Sequence, residues 1–267
     1  MGGAGRRGPV RRRFCDGWAA VSERSPAAPG AAGAAAAGPG VIDLLGLLAY
    51  ARLVAFFRLA DDAELAPTLA SKGALADLAA AEHANYRRLH DRLAELGADP
   101  ESAMEPFVVP LDAWHARTEP QSWLESLVKA YVGDGIADDF YGKLAELCDE
   151  QTQELVRGTL VDSGRAEFVA AQVRAAIADD PRLAGRLSLW ARRLVGEALS
   201  QAQSVAARRP ELAALLGAGA RGTAKDADSG ADGAEAAEAA DLAAVSRMFA
   251  DLTEGHTARL EAMGLNT

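Results

Sequence analysis

The chain has 267 residues, 49% of them hydrophobic but only 6% aromatic, and a net charge of -10. That length allows one sizeable core with tails, and the acidic balance excludes a general nucleic-acid coat. Alanine, leucine, glutamate and arginine dominate, and because all four are good helix formers the composition predicts an all-α fold.

Residues 1–40 carry Gly, Ala, Pro and Arg without periodicity and read as a disordered extension. Within them "RRRFC" at 11–15 has the outline of a twin-arginine export signal. Asp16, Glu23, Arg24 and several Gly and Pro then stand where an apolar segment would be needed. With no run of about 18 apolar residues, no membrane span is expected, and the expected location is the cytoplasm.

"GVIDLLGLLAYARLVAFFRLADDAEL" predicts a strongly apolar first helix with Asp43 near its start as a cap. Pro67 restarts the chain into a second long helix that runs to about Leu96 and stops at "GADP". Pro100, Pro106, Pro110 and Pro120 predict short broken pieces between 100 and 120. A third helix is predicted from about Gln121 to Cys148, a fourth from Glu150 to Ala178, and a fifth from Pro181 to just before Pro210. Residues 217–240 are low-complexity and read as a flexible linker, after which an amphipathic helix closes the chain within 241–267. Six helices and no strand signal predict a helical bundle over 41–216 with the last helix packed on it.

Two cysteines, Cys15 and Cys148, give neither a disulfide framework nor a metal spacing. His83, His90, His115 and His256 are too scattered for a zinc motif.

Helical periodicity shows which polar residues share the apolar stripes. Arg52 falls among Leu45, Leu48, Phe56 and Leu59, and Glu82 and Asn85 fall among Leu75, Leu78 and Leu89. Leu127 and Tyr131 lead to Asp134, with Asp138 and Tyr141 beyond, and Leu155 and Thr159 lead to Asp162, Arg165 and Val169. An unpaired buried charge costs several kcal/mol, so these groups are expected to meet one another or a metal. The spacing repeats, with 30 residues from Arg52 to Glu82 and 28 from Asp134 to Asp162, each pair followed at i+3 by Asn85 or Arg165. Two hairpins with equivalent polar positions are the internal pseudo-twofold of a ferritin-like bundle.

The stretches "DLLGLLAY", "FFRLADDAELAPTLA", "AMEPFVVPLDAWH", "WLESLVKAYVGDGIADDFY", "RLSLWARRLVGEALSQAQ" and "EGHTARLEAMGL" resemble actinobacterial ferritin-like proteins grouped with MiaE-type tRNA hydroxylases. The resemblance covers the chain from Val41 onward, apart from the linker. It implies a ferritin-like four-helix core with added helices and, for the hydroxylases, a non-haem di-iron centre acting on tRNA. The implied ligands are Glu at 52, Glu-x-x-His at 82 and 85, an acid at 134, and acid-x-x-His at 162 and 165. This chain keeps Glu82, Asp134 and Asp162 as metal candidates and departs with Arg52, Asn85 and Arg165.

His83 lies about 100° around the helix from Glu82, off the stripe. Asp138, Glu167, and the pair Glu197 and Gln201 are auxiliary polar groups, none of them an imidazole. Carboxylates alone suit magnesium or manganese better than iron. Arginine forks match carboxylates bidentately, so Arg52 and Arg165 are expected to fill the space of the metals with a buried ion-pair network. No cofactor is expected on that reading, and a di-iron centre is the alternative.

The blander readings are that Asp134, between Gly133 and Gly135, marks a helix irregularity beside a cavity or a locally weak helix. The arginine pairs at 87–88, 192–193 and 208–209 either face tRNA phosphates or are solvated. Two functional classes remain, a hydroxylase-like oxygenase and a non-catalytic helical scaffold.

Overall fold

The structure, a computed structural model, describes residues 38–146, 148–162, 164–209 and 252–265. The proposed disordered extension, apart from residues 38–40, the 217–240 linker and the start of the last helix lie outside the described residues, as does Cys15. Every regular element among the described residues is helical.

Helix α1 spans Pro39–Asp62 and α2 spans Leu69–Glu95. Pro39 opens α1 at a position where its missing N–H removes no hydrogen bond. Thr68 caps α2 by accepting from the Ser71 amide at 3.1 Å. Asp43 is not the cap of α1: it is buried inside the helix and bound through both oxygens to the Arg209 guanidinium. By length and composition Pro39–Leu65, α1 with the turn that follows it, could cross a membrane, with a mean hydropathy of 1.8, contrary to the sequence expectation. Here half of that stretch is buried inside the protein, and α1 packs most extensively on α2 and then on α3.

The broken 100–120 segment predicted from its prolines is instead one helix, α3, spanning Pro100–Arg117. Asp99 caps it through the Ser102 amide at 3.0 Å. Pro106 and Pro110 lie inside it, yet Met104, Phe107, Leu111 and Trp114 recur at helical spacing and are all buried. Burial of that stripe outweighs roughly 3 kcal/mol for each interior proline. Helices α1 and α3 approach closely at Gly46, where a β-carbon would collide with the Ala103 backbone carbonyl.

The third predicted helix forms with an irregularity. Helix α4, Trp123–Val128, passes through a π-helical turn, Lys129–Gly133, into α5, Asp134–Ala145. The fourth is two helices, α6 over Glu150–Thr159 and α7 over Arg165–Asp179. Between them Gly164 adopts φ 94°, a left-handed conformation that ends helical continuity and suits glycine. Helix α8 covers Arg182–Arg208 and a final helix, α9, covers 252–262.

The buried apolar residues form two clusters. One gathers Leu59, Leu75, Leu78, Leu127, Val169 and Leu187; the other gathers Leu44, Leu48, Leu89, Phe107, Leu144 and Val156. Following the chain between clusters gives the topology. Helix α1 runs from the second to the first, α2 back again, α4–α5 in the direction of α2, and α6–α7 in that of α1. Two successive main helices pointing the same way require a return connection, and α3 supplies it. This is a four-helix bundle with one long crossover; the all-α bundle is the fold class expected from the sequence, and the crossover is an addition to it. On each of α1, α2 and α5, the residues between the two clusters include a charged group that turns inward.

Candidate functional site

Arg52 follows Leu48 and Ala49 of one cluster on α1, and Glu82 follows Leu78 and Ala79 of the other on α2. Because α1 and α2 are antiparallel, both land at the same level of the bundle. Each is only 4% exposed. Arg52 Nη1 donates to Glu82 Oε2 at 3.2 Å and Nη2 donates to Asp138 Oδ1 of α5 at 2.6 Å.

Arg165, the first residue of α7, enters from the opposite side. Its Nη2 donates to Glu82 Oε1, while its Nη1 donates to Asp134 Oδ2 at 3.2 Å and to the Ala130 carbonyl of the π turn at 3.4 Å. The five side chains alternate in charge along one line: Asp138, Arg52, Glu82, Arg165, Asp134. Glu82 is the link that joins its halves.

Each protonation state follows from these neighbours. For Arg52, burial disfavours the charge, but Asp138 and Glu82 outweigh it and hold the guanidinium above its ordinary range. Arg165 is raised in the same way, with burial opposed by Asp134 and Glu82. The line has one more carboxylate than guanidinium, and the excess shows at α5. Burial lifts the Asp134 carboxyl to about 7 against the pull of Arg165, with Asp138 and Glu82 lifting it further. Burial also lifts Asp138, with Arg52 pulling down. The Nε atoms of Arg52 and Arg165 are sealed without an acceptor, so the guanidinium groups are satisfied on their outer nitrogens only.

Beside the line is a polar cavity of about 450 Å³ bordered by Arg52, Glu82, Asn85, Asp138, Asp162 and Arg165. Asn85 stands where the resemblance implies histidine, and its amide donates to the Thr159 carbonyl at 3.3 Å. Asp162 borders the cavity but is exposed and does not belong to the charged line. Its carboxylate accepts from the Arg165 amide at 2.8 Å and the Ala166 amide at 3.2 Å, holding the first turn of α7. The sequence stripe that put Asp162 beside Thr159 and Arg165 assumed a continuous helix, and the break at Gly164 removes that register. Asp138, an auxiliary group on sequence grounds, is the residue that enters instead.

The remaining auxiliaries lie elsewhere. Glu167 is exposed on α7. Glu197 and Gln201 accept from Arg117 at 2.7 and 3.2 Å, tying α8 to α3. His83 is exposed and its ring packs against Phe56 and Tyr86.

Several of the paired arginines have partners in the fold. Arg87 pairs with Asp91, Arg88 donates to the Gly158 carbonyl, Arg193 to the Arg117 carbonyl, and Arg209 binds Asp43. A contact that the sequence did not single out joins α9 to α5: Arg259 Nη2 reaches both oxygens of Asp139, at 2.8 and 2.7 Å. Among the described residues no group of three or more His, Cys, Asp or Glu side chains is arranged to hold a metal ion.

Residues 37–219 match the family described as a ferritin-like domain of actinomycetes. No curated protein matches the chain.

Proposed function

The chain belongs to the ferritin-like domain family of actinomycetes, and on that premise we propose that it is a MiaE-like member whose di-iron position is occupied by arginine. In this reading it is a non-catalytic helical scaffold, and the Asp138–Arg52–Glu82–Arg165–Asp134 line does the holding that metal–carboxylate bonds do in a di-iron bundle. The observation that carries it is the double acceptance at Glu82, one oxygen for each arginine.

The donor set does not fit a pair of iron ions. A ferrous ion needs carboxylate oxygens and imidazoles turned toward one point. Here the Glu82 oxygens face guanidinium nitrogens, Asn85 offers an amide, and Asp162 is committed to the α7 amides. Two fixed positive charges beside the same oxygens also repel a divalent cation, by several kcal/mol in a partly desolvated site. A hydroxylase acting on tRNA would need that metal, so the oxygenase reading loses its chemistry at these residues.

Thermal unfolding of the full chain with ferrous iron, manganese or a chelator tests the proposal. The expected unfolding temperature is the same in all three. A metal present at about 100 times its dissociation constant would add roughly 2.7 kcal/mol of stability. A metal-dependent rise reversed by the chelator would overturn the scaffold reading.

A further inference from the structure

On the other side of Asp134 from the charged line lies a second cavity, of about 140 Å³. Helices α1, α3, α5 and α8 wall it with Leu47, Ala51, Leu111, Ile136, Ala137 and Ala198, and Leu252 of α9 borders it. A mostly apolar space of roughly 150 Å³ accepts a benzene-sized molecule.

Three wall residues, Trp114, His115 and Gln201, each have a nitrogen sealed without a partner, and two further polar groups, on α5, are incompletely used. Tyr141 is 8% exposed, and its hydroxyl makes no hydrogen bond to any described residue. That hydroxyl is not among the sealed unpaired atoms, so it borders open space, and this cavity is the one its residue lines. Asp134 gives Oδ2 to Arg165 and nothing described donates to Oδ1. Its side chain, 22% exposed in the middle of the bundle, borders this cavity and not the polar one. Tyr141 follows Asp134 by two turns of α5, and helical aromatic side chains lean toward the N-terminus. The hydroxyl therefore comes back toward the preceding turns of α5, where burial, then the Asp138 charge and after it that of Asp134, raise it above its ordinary range.

We propose that this cavity binds one small, mostly apolar molecule bearing a single hydroxyl, of the phenol or short cyclic alcohol class. The ligand hydroxyl donates to Asp134 and accepts from Tyr141, and the hydrocarbon part fills the alanine- and leucine-lined space. A carboxylate ligand is disfavoured because the wall offers Asp134 and no paired cation: burial pushes the His115 imidazole down to about 2 and keeps it neutral. An ammonium ligand is disfavoured because Arg165 already pairs with Asp134. The site shares Asp134 with the arginine line but rests on the cavity and not on the scaffold reading.

The test is a titration of the full chain with phenol, benzene and benzoate, followed by amide NMR shifts. Phenol is expected to bind saturably and about tenfold more tightly than benzene, the equivalent of one net hydrogen bond of about 1.4 kcal/mol. Benzoate is expected not to bind. In Tyr141→Phe the phenol advantage should fall to about twofold or less while benzene binding persists, which a merely misfolded variant would not show. Ala137→Phe and the milder Ala198→Leu, each checked for native helix content, should abolish binding of both compounds. Absence of phenol binding, benzoate binding equal to phenol, or unchanged phenol affinity in both folded cavity-filling variants would each overturn the proposal.

Discussion

Replacing Glu82 by glutamine separates the charge from the shape of the central link. The amide keeps the volume and one acceptor oxygen, so one arginine retains its contact. The other guanidinium then faces an NH2 group, donor against donor. A hydrogen bond to a charged group contributes about 1.5–3 kcal/mol, and breaking a buried ion pair costs about 3–5 kcal/mol. Arg52 keeps Asp138 and Arg165 keeps Asp134, which puts the expected loss near the lower bound, about 3 kcal/mol.

In urea, with a slope of about 1–3 kcal/mol per molar, the midpoint falls by roughly 1–3 M. The control is Glu197→Gln, which weakens the partly exposed pair with Arg117 and should cost less than about 1 kcal/mol. Unfolding followed by helical circular dichroism compares the three proteins. A Glu82→Gln midpoint indistinguishable from that of Glu197→Gln would refute the account of a line held together at Glu82.

Asp134→Asn tests the surplus carboxylate. Its folded pKa is raised from 3.8 to about 7, so the native state holds that proton more tightly than the unfolded chain and the group's contribution declines as pH rises from about 4 to 7. The variant should therefore gain on the native protein by up to about 3 kcal/mol between pH 5 and pH 8, read from urea midpoints at the two pH values. Asp99 and Asp149, held below their ordinary range by Ser102 and Thr152, act in the opposite sense but cancel in the difference; a variant that loses ground as pH rises contradicts the reasoning. Gly164→Ala should destabilise by about 1–2 kcal/mol through the left-handed backbone alone, with Gly185→Ala, in the interior of α8 with open space at its β-carbon, neutral or stabilising by comparison. Gly46→Ala should cost about 1–3 kcal/mol by driving α1 from α3, and an unchanged unfolding temperature would contradict the close approach at Ala103.

The inward turn of Arg52 and Glu82 was legible because α1 and α2 are unbroken, so a 3.6-residue period read along the sequence is the period of the structure. The same method misplaced Asp162, since it carried that period across Gly164, where the helix stops. It also understated Asp138: sharing a stripe with Asp134 makes both inward, but only the fold decides which carboxylate faces which arginine.

In α3 the prolines masked a clear signal. Met104, Phe107, Leu111 and Trp114 already trace a helical face, and tertiary burial of that face overrides the local penalty. The π turn before Asp134 was hinted at by its flanking glycines, one of the two readings those glycines allowed. The Arg259–Asp139 contact had no sequence signal, because it joins segments 120 residues apart.

The central claim is that guanidinium groups hold the positions where a di-iron bundle holds metal. Elemental analysis of the full chain, purified after expression with iron and manganese supplied, tests it most directly. The account predicts less than roughly a tenth of an equivalent of any transition metal, because the carboxylate oxygens are already paired with arginine. About two equivalents of iron per chain, the loading of a di-iron bundle, would contradict it and return Glu82, Asp134 and Asp138 to the role of ligands.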